Sequence, residues 1–276
     1  MLENTVPFIG FFFGSDPGSG NGTAIPIVTP ATAIALSNNI SVAGMPDGNY
    51  LLSVRAKDIA GNWGPSGTMV LTVDPPNPVF SNGFDTGTFA AWTSTLNAGT
   101  RITTKLAAAK SGSFGMAALI SGGTSGYVVD GTPQLDKTYH ARFYVHPNGV
   151  TLNATERDIF VGLSASNQTL FRIQMRKNGN SYQLRSLIYR AGGTTATNWY
   201  AVSNAYHAVE MSWQSATSSS SGFYIDGVLR QTLTNLTTSS YRLDSVRLGP
   251  QGSLGNTAGT MYFDSFVSTR YTVIGP

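Results

Sequence analysis

No stretch of this chain sustains a helical repeat. Short apolar runs alternate in period two and stop at Gly, Pro, Asn or Asp. That pattern admits an all-β fold and excludes helix bundles and alternating βα layers. The 276 residues include 31 Gly and 13 Pro, and only 11% are charged. Solubility therefore comes from hydroxyls and amides at turns more than from ions. Cysteine is absent, so no disulfide framework staples the strands, but the length suffices for a core without one. The lack of bridges points to a bacterial or archaeal surface protein, or to a cytosolic one.

The sequence divides at Pro75-Pro76-Asn77-Pro78, a run that favours extended backbone and reads as a stiff linker over 75–78. Residues 1–74 precede it and residues 79–276 follow. In the first region strands are expected at 6–13, 24–28, 39–43, 50–57 and 68–73. Turns fall at Asp16-Pro17-Gly18, Asn21-Gly22, Pro46-Asp47-Gly48 and Ala60-Gly61-Asn62. Within 50–57, Leu52, Val54 and Ala56 point one way and Ser53, Arg55 and Lys57 the other, as in a half-buried antiparallel strand. The second region carries about a dozen strand candidates. The clearest are 139–146, 159–163, 170–176, 182–189, 205–213, 222–231, 241–249 and 261–269. So many antiparallel strands imply a two-sheet jelly roll.

Several motifs carry a resemblance. The stretch MPDGNYLLSVRAKDIAGNWG at 45–64 resembles the end of bacterial immunoglobulin-like or fibronectin-type-III-like repeats. That likeness implies a tyrosine corner at Tyr50, its hydroxyl tied back to the preceding backbone. A full sandwich of this kind has about seven strands, so the first region reads as an incomplete immunoglobulin-like sandwich lacking its first strands. The apolar run Phe8, Phe11 and Phe13 then borders an open strand-exchange edge, which upstream sequence or a second copy of the chain would cover. In the second region, YHAVEMSW at 206–213 followed by GFYIDGVLR at 222–230 resembles the concanavalin-A-like lectin and glucanase superfamily, laminin-G-like domains included. Asp226-Gly227 is a type I′ hairpin signal. FSNGFDTGTFAAW at 80–92 and MYFDSFV at 261–267 are similar to the opening and closing strands of jelly-roll carbohydrate-binding modules. That likeness implies a structural Ca²⁺ where those strands meet, on Asp85 and Asp264 with oxygens near Asn82. The alternative stays open that Asp85 makes an Asx-turn and Asp264 caps a strand.

Catalytic sets are sparse. Glucanases of this superfamily carry closely spaced acids on one strand, and here only Glu156-Arg157-Asp158 comes near, while Glu210 stands alone. His140, His146 and His207 are the only histidines. The first two lie roughly 20 Å apart on one strand, and no Ser/His/Asp triad stands out among the three. The chain is therefore expected not to be an enzyme and to require no cofactor. Trp199, Tyr200 and Tyr189 are the candidates for sugar stacking, with Trp199 placed after the polar loop 192–198.

Net charge is +3. Arg172, Arg176, Lys177, Arg185 and Arg190 form the nearest thing to a basic cluster, on two adjacent strands. A polyanion patch is one reading; a solvated sheet face is the one adopted, so no nucleic-acid partner is expected. No Lys or Arg precedes Arg55, so residues 1–14 are not expected to act as a standard signal peptide. Membrane insertion is not expected. Two functions follow. One is a non-catalytic extracellular or cell-surface structural or adhesive protein, a fibre subunit completed by strand donation from another copy. The other is a carbohydrate-binding module of a larger secreted protein, with glycans as partners.

Overall fold

The computed structural model describes residues 5–42, 45–46, 48–152, 155–252 and 254–276. The chain is all-β, and among the described residues the only helical element is a 3-10 turn at Leu106–Ala108. It separates into two compact units, Met1–Pro76 and Asn77–Pro276.

In the first unit β1 (Phe8–Phe13), β2 (Thr23–Ile25), β3 (Gly48–Lys57) and β4 (Gly67–Val73) form one antiparallel sheet in the order β2-β1-β3-β4. Few side chains are deeply buried; Ile9, Ile25 and Leu52 lead. The Tyr50 hydroxyl donates to the Pro46 carbonyl at 2.8 Å, the bond expected of a tyrosine corner. Three expectations change. Phe8, Phe11 and Phe13 do not border an open edge, because β1 pairs with β3 along its whole length and with β2 on its other side. The edge strands among the described residues are β2 and β4, and on β4 Met69 and Val70 stand in solvent. Ser53, expected to face water, is buried at 3% exposure where β3 sits between β1 and β4. No strand forms over 39–42, and Ala43 lies outside the described residues, as does Asp47 of the expected turn.

Among the described residues the second unit holds sixteen strands. In chain order they are β5 (Pro78–Asn82), β6 (Ser94–Leu96), β7 (Ile102–Lys105), β8 (Gly115–Ile120), β9 (Tyr127–Asp130), β10 (Thr138–His146), β11 (Arg157–Leu163) and β12 (Thr169–Asn178). Then come β13 (Ser181–Arg190), β14 (Gly193–Ala196), β15 (Tyr200–Val202), β16 (His207–Gln214), β17 (Ser219–Ile225), β18 (Val228–Leu236), β19 (Ser245–Gln251) and β20 (Gly259–Thr269). They make two antiparallel sheets. One runs β18-β17-β16-β10-β20-β8-β7, with β5 also on β20; the other runs β14-β13-β12-β11-β19-β9-β6, with β15 also on β13. They are called below the β20 sheet and the β12 sheet. Alternation decides what each sheet buries. On β10, Tyr139, Ala141, Phe143 and Val145 are essentially inaccessible, and on β12 so are Phe171, Ile173 and Met175. Phe143 meets Phe160 and Phe171 meets Trp213 across the core, giving a sandwich of jelly-roll type.

Local chemistry fixes the registers. Asp226 and Gly227 both have positive φ, 54° and 74°, and join β17 to β18 as a two-residue loop. That is the geometry a type I′ hairpin requires. At the opening strand, the Asn82 Oδ1 accepts from the Phe84 amide at 2.9 Å and from the Trp92 indole at 3.2 Å. Phe84 is thereby held at φ 60°, stacked on Trp92 inside the core.

Candidate functional site

The alternation that buries Phe171, Ile173 and Met175 turns Arg172, Gln174 and Arg176 outward on β12. On β13 it turns Gln183, Arg185 and Tyr189 to the same side, since Gln174 pairs with Arg185 and Arg176 with Gln183. Asp158 of β11 pairs with Gln174, and Arg247 of β19 pairs with Val161, so both join this face. Lys177 and Arg190 do not. Lys177 lies over Tyr182, and the Arg190 Nε donates to Thr195 at the hairpin end.

These side chains lock one another. Asp158 accepts from the Arg172 guanidinium at 2.9 Å and from the Gln174 amide at 2.8 Å. Gln174, 4% exposed, accepts in turn from the Arg185 Nε at 2.8 Å, and Arg185 reaches Glu156 at 3.5 Å. The Arg176 Nε donates to Gln183 at 2.8 Å. Burial pushes the Arg185 pKa down from its ordinary value, and the charge of Arg176 adds to that. Four guanidiniums thus share this face with two carboxylates. Arg172 Nε and Arg247 Nε are buried without a hydrogen-bond partner among the described residues.

The three aromatic candidates separate. Trp199 lies on the face with the guanidinium carbons of Arg176 and Arg185 at 4.2 and 4.4 Å from its ring centroid. Tyr189 lies beneath Arg172 at 5.4 Å. Both rings are therefore platforms for arginine rather than bare surfaces for sugar. Tyr200 points the other way, as the next residue of an extended chain must. Its ring packs near Phe223 and its hydroxyl donates to the Arg230 carbonyl at 3.0 Å. At the far end of the face, Arg247 lies over Tyr127. Tyr127 and Gln251 line a cavity of about 200 Å³ with Asn97 and Pro250.

Asp85 and Asp264 converge on one loop, 110–114. Asp264 is fully buried, accepting from the Lys110, Ser111 and Ser265 amides at 2.6, 3.0 and 2.6 Å. Asp85 accepts from the Ser113 amide at 2.6 Å. Burial raises the Asp264 pKa, and the nearby Asp85 charge raises it further. Main-chain amides thus engage both carboxylates, and the Ser111 and Ser265 hydroxyls bond each other at 2.9 Å. The Asn82 side-chain oxygen already serves two donors. No group of three or more His, Cys, Asp or Glu placed to hold a metal occurs among the described residues.

One constellation escaped the sequence reading. The Ser203 hydroxyl lies 2.9 Å from the His207 Nε2, and the His207 Nδ1 lies 2.8 Å from Asp226. This has the order of a Ser-His-Asp relay. However, the Ser203 backbone amide also donates to that Nε2 at 3.1 Å, and Asp226 accepts from the Ala208 amide at 2.9 Å. The ring lone pair that a general base needs is shared with a main-chain donor. The trio braces the start of β16 against the β17–β18 turn. Its signal in sequence was only the position of Asp226 in a hairpin turn.

No protein-family model matches the sequence, and no curated protein matches it. Solved structures do resemble it. The cellulose-induced protein Cip1 is 11% identical with a TM-score of 0.53, over 71% of this chain and 99% of that one. A structure described as a carbohydrate esterase of Shiga toxin-encoding bacteriophage phi24B is 12% identical with a TM-score of 0.52, over 71% and 99%. The receptor-binding domain of a botulinum neurotoxin mosaic serotype is 9% identical with a TM-score of 0.51, over 72% of this chain and 48% of that one. At these identities the likeness concerns the fold, a jelly-roll sandwich.

Proposed function

We propose that the second unit is a non-catalytic carbohydrate-binding module that takes its ligand on the outward face of the β12 sheet. One observation carries the reading. Arg172, Arg176, Arg185 and Arg247 stand on a single sheet face beside Trp199, Tyr189 and Tyr127, the first three prearranged by bonds to Asp158, Gln183 and Gln174. Polar donors held in fixed positions on one face, here by the rings beneath them, are what orients a sugar ligand. The fold neighbours support it, since one is described as a carbohydrate esterase and another as a receptor-binding domain. On this reading the module works outside the cell or at a bacterial or archaeal surface. The first unit is an immunoglobulin-like spacer, supported by its tyrosine corner. A structural Ca²⁺ would be held by Asp85 and Asp264 and would raise thermal stability, an effect Asp264→Asn removes.

A glycan array on the intact chain tests the proposal, with Arg185→Ala as control. Reproducible hits lost in the variant support it; an array without hits sinks it. A second reading, a self-assembling surface subunit, is favoured by the uncovered β4 edge with its exposed Met69 and Val70. Sedimentation velocity across a wide concentration range decides that one, a constant monomer mass arguing against assembly.

A further inference from the structure

The donors left over on the β12 sheet define the kind of sugar it takes. Arg176 uses Nε on Gln183 and a face of its guanidinium on Trp199. Among the described residues its Nη1 and Nη2 have no partner. Two terminal nitrogens side by side form the fork that grips a carboxylate or sulfate with two parallel bonds. Arg185, on the same indole, keeps Nη1 in the same condition, its Nε and Nη2 being taken by Gln174 and Glu156. Beyond the Tyr127 ring, the Arg247 guanidinium makes one hydrogen bond among the described residues, to the neutral amide of Asn167 at 3.3 Å. Hence Arg176 and Arg247 are not neutralised by any carboxylate among the described residues, and the burial of Arg247 Nε makes uncompensated positive charge costly there.

A guanidinium lying on an aromatic ring holds its edge outward and loses little further entropy when it binds. Trp199 thus acts as a shared spacer that orients Arg176 and Arg185 rather than as a sugar platform of its own. A neutral sugar would leave the unpaired charge unrelieved, whereas an acidic one neutralises it.

We infer that the ligand of this face is an acidic polysaccharide, one whose repeating units carry carboxylate or sulfate groups, gripped by the terminal nitrogens of Arg176 and Arg185 on either side of the Trp199 contact. This rests on the carbohydrate-binding reading above and narrows it. The recognised group is an anion on a sugar, so carboxylated and sulfated chains are separate arms of one test.

The test is affinity electrophoresis and calorimetry of the full chain against polygalacturonate, chondroitin sulfate, a neutral β-glucan and single-stranded DNA. Binding to at least one acidic polysaccharide is expected, weakened about tenfold or more by Arg176→Gln. It should also fade as salt rises from about 50 to about 500 mM. Arg176→Lys, which keeps the charge but not the fork, should recover only part of the loss. An unchanged unfolding temperature in both variants shows that the fold is intact. Equal, salt-insensitive binding to the neutral β-glucan overturns the inference but leaves the carbohydrate-binding reading. No binding to any polysaccharide overturns both. DNA bound with the same Arg176 dependence and no polysaccharide bound assigns the face to nucleic acid and also overturns both.

Discussion

The two sheets of the sandwich treat their outward charges differently. On the β20 sheet, Glu210 and Arg142 stand opposite each other in register and both close on main chain. Glu210 accepts from the Ile274 and Gly275 amides at 2.8 and 3.0 Å, while Arg142 donates to the Ser265 and Gly275 carbonyls at 2.9 and 3.2 Å. That face is fastened to its own polypeptide by its charges. Arg142 also lies over Tyr144, as the β12 arginines lie over their rings, but on the β12 sheet the guanidiniums close on other side chains instead of main chain, and several of their nitrogens stay free. One set of charges holds structure together; the other is arranged with capacity left over. On the proposed reading, that spare capacity marks the β12 face as the one that takes a ligand.

Exchanging roles between the faces would break this contrast. The largest effect is expected from Glu210→Ala. It leaves two strap amides without their acceptor and Arg142 without its cross-strand acid, at a cost of about 2–3 kcal/mol in unfolding free energy. Chemical denaturation reads it, and glycan affinity should hold. Next come the matched variants Arg142→Gln and Arg176→Gln. The first should lower stability and spare binding; the second should do the reverse. If both lower stability alike, the two faces are structural equivalents.

A smaller effect follows from pH. Burial raises the pKa of Asp130 and Glu210 above their ordinary values. A carboxyl with a raised folded pKa binds more protons folded than unfolded in the window between the two values. Stability from these groups is therefore greatest below their ordinary pKa and falls as pH rises through the raised one. His140 and His146 in the same unit work the other way, since burial lowers their pKa and stability from them grows as pH rises toward their ordinary value. The carboxyl effect is therefore read by difference: as pH rises, the urea midpoint of the parent chain should lose ground to that of Glu210→Gln, and parallel pH profiles would count against the burial argument. Smaller again, Tyr200→Phe should cost about 1 kcal/mol through the lost hydroxyl bond and leave glycan binding unchanged. A fluorophosphonate probe should leave Ser203 unlabelled; labelling there would move the chain among the hydrolases.

Local sequence chemistry carried much of this. The Asp226-Gly227 turn, the alternation of β10 and β13, and the tyrosine corner at Tyr50 all depend on neighbours a few residues away. So does the arginine spacing, since Arg172, Gln174 and Arg176 at every second position must share a face. What escaped depends on register between distant strands. The Asp158–Gln174–Arg185 relay exists because β11 and β12 pair with an irregularity between Asp158 and Phe160, and no spacing within either strand announces it. Trp199 and Tyr200 were grouped as one sugar platform, yet consecutive extended residues face opposite sides. Ser53 looked solvated by pattern, but its neighbouring strands bury it. The His207 brace joins residues whose proximity only the hairpin creates.

Arginine side-chain Nε–Hε resonances report on each guanidinium separately. A titration of the full chain with an acidic oligosaccharide should shift the signals of Arg172, Arg176, Arg185 and Arg247 and leave Arg142 in place. Movement of Arg142 with those four unmoved would contradict the account.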